Sequence, residues 1–566
     1  MNRRQIIAVG VLVVALITGT WAVARVQESN DNTYSNIERF IQVLTKVRDN
    51  YVEPVSSDKL MDAAIRGMLR TLDPYSQYLY KDEAERLETT THGAFGGIGI
   101  SIGMRDRWVT VIAPIEGTPA WKAGILGGDR IIKIDEVSTE GLSLDDAMKK
   151  MRGERGTHVK LTIFREGREK PMDFDIVRDI IQIKSVPYAG MLSNGVGYVR
   201  LSNFSERSRQ EMDAAFDKLE KMNPHGVIID LRYNPGGLLS QAVEVAEEFT
   251  PRGKKVVYTR GRDSSQNRDF YSTAEHTHDN YPIVILVNQW TASASEIVSG
   301  ALQDLDLGLV VGKTTFGKGL VQTVIPLTRS VKGPKLKLTT AKYYTPSGRS
   351  IHKDENDHPH EADEIASLTD GGSDVDNVAP DAPDTKSDAN GELKEVKDAK
   401  EKPVFYTSSG RVVYGGGGIT PDLEFNPREY TEMQRTLEKD YLGFSFAMDY
   451  LKKHNDVKQD FTTTDAVLSD FYKFLDTKKF QYKKEELTPE NVDYIRTMVA
   501  REVVNAKFGR NAMYKVVVDQ DPEVKEVLQM LDKHPTLKSL FAYGVEEKDS
   551  VKKAAKPDEK PAPKKK

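Results

Sequence analysis

The chain has 566 residues, more than one hydrophobic core can serve, so its length predicts about three or four folded units. Charged residues are 29% and hydrophobic residues 39%, a globular balance that excludes wholesale disorder and a multispanning membrane protein. Lys and Arg total 80 against 85 Asp and Glu, a net charge of -5 without the basic excess of a nucleic-acid binder, and the lack of cysteine removes thiol nucleophiles, zinc fingers, iron–sulfur clusters and disulfides.

Asn2-Arg3-Arg4 and the apolar run from Ile6 to Ala24, ending Ala22-Val23-Ala24, predict an export signal over residues 1–24. The run also suits an uncleaved membrane anchor over residues 6–24, and both readings place the body outside the cytoplasm, in the periplasm or cell envelope. Residues 30–88 read as helical: Ile37, Phe40, Ile41, Leu44 and Val47 recur at three and four, and a second helix, Lys59 to Leu72, stops at Asp73-Pro74. Glycine and β-branched residues then mark a small β-rich domain over 89–180. It carries strands Trp108 to Ile112 and Val159 to Phe164, and a short helix through Leu144, Ala147, Met148 and Met151 that Ser143 caps.

From 184 to 351 strands alternate with amphipathic helices, the pattern of an α/β layer with parallel pairing. The expected strands are Val196 to Leu201, Val227 to Leu231, Val256 to Thr259, Ile283 to Val287 and Leu309 to Val311; the helices are Glu206 to Met222, Leu238 to Phe249 and Ala292 to Leu305. Unbroken apolar runs such as Val227-Ile228-Ile229 suit strands buried on both faces. Residues 352–403 read as a disordered acidic insertion, with 12 Asp or Glu against 2 Lys between 353 and 391, which accounts for the mild acidity of the whole chain. Residues 404–427 return to the α/β core, 428–548 are amphipathic helices, one opened by Thr488-Pro489-Glu490, and 549–566 form a disordered Lys-rich tail.

Three segments carry chemistry. In Asn288-Gln289-Trp290-Thr291-Ala292-Ser293-Ala294-Ser295-Glu296, a buried strand hands over to a helix. A serine there is displayed beside unpaired N–H groups that stabilise an anionic intermediate, although the plain alternative is a pair of helix caps. Such a serine needs a base. His276 and His278 are the histidines nearest in sequence, in a polar loop that reads as exposed surface. The other candidate is Lys318 in Thr315-Phe316-Gly317-Lys318-Gly319, a lysine that serves as a base only if desolvation lowers its ordinary pKa of ~10.4. The neighbouring Gly308 to Thr314 is one residue short of a phosphate-binding loop, so nucleotide binding fails on spacing. The second segment, Asp230-Leu231-Arg232-Tyr233-Asn234-Pro235-Gly236-Gly237, ends another buried strand with glycines that let backbone amides approach a ligand; alone it is an ordinary βα turn. The third, Phe95-Gly96-Gly97-Ile98-Gly99-Ile100, with Ala123-Gly124-Ile125 and Gly128-Asp129-Arg130-Ile131-Ile132 behind it, resembles a PDZ domain, which holds a peptide's terminal carboxylate on loop amides.

Together these segments resemble the carboxyl-terminal processing, or tail-specific, peptidases from about Phe40 to Phe425. The resemblance implies a multidomain α/β architecture: an α/β protease core, an inserted β-rich PDZ domain, and helical N- and C-terminal regions. It makes Ser293 the nucleophile of an exported serine endopeptidase, Lys318 its general base and Gln322 the group that orients the lysine. It places oxyanion donors on the amides of Ala294 and Gly236, with Gly237 beside them. It assigns peptide tails to Gly97, Ile98, Gly99, Ile100, Ala147 and Met148, and makes Arg152 a candidate for gating the site. Tyr343-Tyr344-Thr345-Pro346-Ser347-Gly348-Arg349 matches the family as well. The expected partners are protein or peptide substrates with apolar, unstructured C-termini, with a second copy of the chain and an activator protein left open. No nucleic acid and no cofactor is expected, and His352, His358 and His360 show no ligand spacing that would make a metal site. Two other readings compete: a non-catalytic PDZ scaffold of the cell envelope, and a hydrolase pairing Ser293 with a histidine.

Overall fold

The computed structural model describes residues 33–275, 277–330, 333–353, 402–425 and 430–554. The expected export segment, His276, nearly all of the acidic insertion and the end of the Lys-rich tail lie outside the described residues. The chain divides into two compact units, residues 1–78 and 79–566. In the first, helix α1 covers residues 33–50 and α2 covers Ser57–Leu69, started by Ser56, whose hydroxyl accepts from the Lys59 amide. The helical periodicity of α1 holds, but Ile37, Phe40 and Ile41 on its apolar face are exposed. No described helix is long and apolar enough to cross a membrane.

The second unit begins with helix α3 (Asp82–His92), which hands over to strand β1 (Ala94–Gly97). Five antiparallel strands follow in chain order across a sheet, β2 (Ile100–Arg105), β3 (Trp108–Pro114), β4 (Arg130–Ile134), β5 (His158–Phe164) and β6 (Met172–Val177), with the two-residue strand Val137–Ser138 paired to β4 as a sixth. Helix α4 (Leu144–Met151) lies between β4 and β5, and Ser143 caps it by accepting from the Asp146 amide. The module has its own core of Ile98, Val109, Ile131, Ala147 and Leu161. Strand β7 (Asp179–Gln182) then pairs antiparallel with β1, so one short two-stranded ribbon carries the module on both of its chain connections.

The α/β core runs β8 (Tyr188–Met191), β9 (Gly197–Arg200), α5 (Ser208–Glu220), β10 (Val227–Asp230), α6 (Leu239–Glu247), β11 (Lys255–Gly261), β12 (Arg268–Tyr271), β13 (Ile283–Val287), α7 (Ala294–Asp304), β14 (Leu309–Gly312), β15 (Leu320–Pro326), β16 (Lys335–Tyr344) and β17 (Leu423–Glu424). Its main sheet has the order β8-β9-β10-β13-β14-β17, parallel throughout except for β8 against β9. After the insertion, β17 pairs parallel with β14 as the edge strand of this sheet. A second, antiparallel sheet runs β12-β11-β16-β15. The β15–β16 hairpin is absent from the sequence expectations, because its polar alternation lacks the apolar run that marks a buried strand.

Helices α8 (Glu432–Lys439), α9 (Leu442–Lys453), α10 (Asp465–Thr477), α11 (Pro489–Phe508), α12 (Arg510–Gln520), α13 (Pro522–Lys533) and α14 (Leu537–Ala554) make the C-terminal region. The parallel strands show why they read as apolar on both faces. Val227, Ile229 and Ile285 pack with α5, α6 and α7, while Ile228, Val284 and Leu286 pack with Val524, Val527 and Leu531 of α13. The C-terminal helices thus cover one face of the main sheet.

Candidate active site

Two corners meet at the C-terminal ends of the neighbouring strands β10 and β13, the usual position for a site in a parallel sheet. At the first, the chain leaves β13 and turns into α7 through Ser293, which holds φ +55, a conformation unfavourable for any residue but glycine. That turn delays the start of α7 to Ala294, two residues after the expected start. Ser293 is half-buried and faces a cavity of about 280 Å³. Ser295 is buried completely and donates its hydroxyl to the Asn234 carbonyl, so it is a structural serine and Ser293 is the displayed one.

Lys318, only 5% exposed, lines the same cavity with Gln322. The expected Ser, Lys and Gln set is therefore brought together, although 25 residues separate its first two members. Gln322 sits at a break in the β15–β16 register, a bulge of the kind that re-aims a side chain. Two groups that the sequence expectations gave no role hold Ser293 and Lys318 in register. The buried Glu296 carboxylate accepts from the Ser293 amide at 2.8 Å, the Lys318 amide at 2.9 Å, the Gly317 amide at 2.7 Å and the Thr315 hydroxyl at 2.5 Å. From the other side, the Tyr343 hydroxyl lies 2.6 Å from the Lys318 carbonyl and 3.1 Å from the Ser293 carbonyl. Burial pushes the Glu296 carboxyl up to about 7, against the pull of its four donors. The signal for Glu296 was present in the sequence: Ser-x-x-Glu at a helix start is a capping box, and the Ser293 amide to Glu296 bond is half of one.

The second corner is Asn234-Pro235-Gly236-Gly237. A Cβ on Gly236, which holds φ +101, would lie 2.8 Å from the Ser293 Cβ and 2.9 Å from the Ala294 nitrogen, so only glycine fits against the Ser293 corner. Its amide is engaged locally in this structure. The Gly236 N–H donates to Asn234 Oδ1 at 2.9 Å, the local bond that Asn makes two residues ahead of itself in a turn. Gly237 and Ala294 line the cavity beside it. Behind the corner, Asp230 accepts from Tyr198, Arg200 and Arg232, and Arg232 reaches on to Asp521 at 2.6 Å and to Glu523. Burial would push the Asp230 carboxyl up, but Arg232 and Arg200 hold it well below the usual carboxylate range.

Among the described residues lining the cavity there is no histidine. His278 is not surface, as its polar loop suggested: it stacks on Phe216 with ring centres 4.6 Å apart and bonds Glu220 at 2.7 Å. It also groups with Asp213 and Glu248 in an arrangement of metal-ligand type, but Arg209 already pairs with both carboxylates. A second lysine, Lys337, lines the Ser293 cavity from β16, and no feature of its sequence neighbourhood marks it.

In the β-rich module, Gly97, Ile98, Gly99, Ile100 and Met148 line a groove of about 520 Å³. Ala147 does not. It is fully buried in the module's core, because adjacent helical residues point about 100° apart and only one of the pair can face the groove. Met151 and Arg152, three and four residues after Met148, line the groove instead. Arg152 lies over the Phe95 ring, 4.6 Å from its centre. Groove and cavity share Ile183, directly after β7, so the two adjoin at that residue.

Family models match four stretches: Peptidase family S41 over residues 195–359, the PDZ domain over 110–165, the Activating protease CtpB N-terminal domain over 18–83, and the Probable PDZ-protease, C-terminal helical domain over 433–488. The carboxy-terminal-processing protease of Bartonella bacilliformis is 43% identical over 327 residues, which are 57% of this chain and 74% of that protein. The carboxyl-terminal-processing protease of Synechocystis is 40% identical over 54% of this chain and 72% of its own length. The carboxy-terminal processing protease CtpA of Bacillus subtilis is 36% identical over 58% and 69%.

Proposed function

The chain belongs to the carboxy-terminal processing proteases, serine-type peptidases of family S41 with a PDZ domain, and from that premise we propose that it cleaves peptide bonds by a Ser-Lys mechanism on protein tails held in its PDZ groove. The observation that carries this reading is the seam between Ser293 and Lys318: they line one cavity and share Glu296 and Tyr343 as backbone tethers.

Neutral Lys318 takes the proton of the Ser293 hydroxyl as Oγ attacks the scissile carbonyl carbon. Lys318 is buried at a cavity that Leu320, Ile297 and Leu239 also line, and burial is the condition under which a lysine gives up its charge. Gln322 orients the lysine. The oxyanion is held by the amides of Ala294 and Gly237, at the positive end of α7, and by the Gly236 amide once it leaves Asn234. Collapse breaks the C–N bond, and the Lys318 ammonium returns its proton to the departing amine. Water, deprotonated by Lys318, then attacks the acyl carbon; the ester C–O bond breaks and the Lys318 ammonium returns the proton to Ser293 Oγ.

Substrate selection rests on the groove. A tail adds as a strand beside β2, its carboxylate at the Gly97 to Ile100 loop and its apolar end against Met148, and the preceding chain passes Ile183 toward Ser293. Gly93 and Ile183, at the ends of the β1–β7 ribbon, line the cavity, while Phe95 and Gln182 within it line the groove. Arg152, stacked on Phe95, is the contact through which an occupied groove gates catalysis. The enzyme works outside the cytoplasm, delivered or anchored by residues 1–24.

Cleavage of a peptide with an apolar C-terminus by the parent and by Ser293→Ala, Lys318→Ala and His278→Ala variants tests this. Loss with the first two and retention with the third is expected. Activity retained without Lys318 would exclude the mechanism, and an inactive parent that still binds the peptide would favour a scaffold.

A further inference from the structure

The loop that carries Lys318 is held from several sides. The Phe316 amide donates to the Thr291 carbonyl at 3.0 Å, and the Gly319 carbonyl accepts from the Tyr343 amide at 3.1 Å. The Thr315 amide and the Gly317 carbonyl are held by the stretches that flank the expected acidic insertion. Ahead of it, the Lys353 amide donates to the Gly317 carbonyl at 3.0 Å; behind it, the Ile419 carbonyl accepts from the Thr315 amide at 3.1 Å. The two stretches are also joined to each other, since the Gly417 and Gly418 amides donate to the Ile351 carbonyl at 3.2 and 2.8 Å. The approach leaves no room for a side chain. A Cβ on Gly418, which holds φ +83, would lie 2.2 Å from the Thr315 carbonyl oxygen.

One of these links continues to Ser293. The Ile419 amide donates to Thr315 Oγ1 at 2.7 Å across 104 residues of chain, and the Thr315 hydroxyl donates to Glu296 Oε1 at 2.5 Å. The other carboxylate oxygen, Oε2, accepts from the amides of Ser293 and Lys318. A hydroxyl has one proton to give, so the bond accepted from Ile419 leaves the Thr315 proton aimed at the carboxylate. We propose that Thr315 is a positioning residue for Ser293 and Lys318, through which the segment after the acidic insertion, at Gly418 and Ile419, fixes the Glu296 carboxylate and the Lys318 loop. This rests on the reading of Lys318 as the base for Ser293 and says what holds that base in place. The titratable groups on the elements packed around Glu296 are Lys318 on its loop, Tyr343 on β16, and His352 and Lys353 on the flanking stretch. Burial pushes the Glu296 carboxyl up to about 7, and the Thr315 hydroxyl is the strongest of the four donors that pull it back. Loss of that donor raises it further, which moves the acid limb of the rate to higher pH.

The test follows peptide cleavage across pH and the rate at which a fluorophosphonate labels Ser293, both in the full chain. Thr315→Val keeps the shape of the side chain and removes both bonds of its hydroxyl. It should lower kcat about tenfold or more at unchanged KM, slow labelling alongside, and move the acid limb to higher pH. Thr315→Ser keeps the hydroxyl and should restore the limb and most of the rate. In a Lys318→Ala background Thr315→Val should slow labelling far less, because its effect runs largely through the lysine. Gly418→Ala, which presses a methyl group on the Thr315 carbonyl from the far segment, should also lower kcat at unchanged KM. A parent rate and limb in Thr315→Val, or a lower rate with an unmoved limb that Thr315→Ser does not restore, overturns the proposal. A parent rate in Gly418→Ala overturns the part played by the segment after the insertion, and decides against the proposal if Thr315→Val does not fold. Undiminished labelling in Lys318→Ala would instead overturn the Ser-Lys reading itself, whereas slowed labelling there beside parent behaviour in Thr315→Val overturns this proposal alone.

Discussion

The two corners of the cavity are built by opposite means. The serine corner is local: Ser293 and Glu296 lie three residues apart, and the carboxylate fastens Ser293 to the Lys318 loop inside the core. The glycine corner is anchored from a distance, since Arg232 ends on Asp521 and Glu523, nearly 300 residues further along the chain. Ser293 and Lys318, the proposed nucleophile and base, are thus positioned by the α/β core itself, whereas the glycine corner depends on the C-terminal helices. A disturbance of α13 should reach catalysis through the glycine corner and leave the serine corner in place.

The largest expected effect breaks the serine corner. Glu296→Ala leaves four buried donors without their acceptor and should cost roughly 3 kcal/mol or more of stability, with about a hundredfold or greater loss of kcat, read by thermal unfolding and peptide cleavage. The pH dependence sharpens the same point. Because burial pushes Glu296 up to about 7 from an ordinary 4.5, the folded chain holds this proton to higher pH than the unfolded one. The stability it contributes is complete below 4.5 and is lost as pH rises through about 7. Activity runs the other way, because only the carboxylate accepts from all four donors. The rate should fall below about pH 7, and a Glu296→Gln variant that remains folded should lose that limb.

The glycine corner gives the next effects. Arg232→Met strands Asp230, Asp521 and Glu523 and should cost roughly 3–5 kcal/mol, again by thermal unfolding, with the catalytic loss secondary to it. The milder Glu523→Gln should lower kcat by less than about tenfold at unchanged KM, because it loosens the corner without emptying it. A kcat untouched by both would mean that the helical region only supports the fold. Gly236→Ala, which drives a methyl group against Ser293 and Ala294, should reduce kcat with little change in tail binding. Tyr343→Phe removes one hydroxyl of the second tether and should be the smallest, about 0.5–1.5 kcal/mol and a few-fold in rate.

The same contrast explains what the sequence revealed. Apolar runs located the parallel strands, and the resemblance located Ser293, Lys318 and Gln322, which the fold brings to one cavity. The Glu296 tether was legible as a capping box whose partner across the cavity was not. The Gly236 turn was legible too, since Asn-Pro-Gly announces a side-chain bond to the glycine amide. Ala147 was misassigned because two neighbouring apolar residues on a short helix were given one face. The reach of Arg232 to Asp521 depends on how α13 packs, and nothing in the local pattern of either segment encodes the other.

The pairing of Ser293 with Lys318 is tested most directly by the rate at which a fluorophosphonate modifies the protein, with the modified residue located by mass spectrometry. The adduct should form on Ser293 in the parent, and its rate should fall about 10²–10⁴-fold in Lys318→Ala, the range expected for loss of a general base. An adduct on another residue, or an undiminished rate in Lys318→Ala, would contradict the Ser-Lys mechanism.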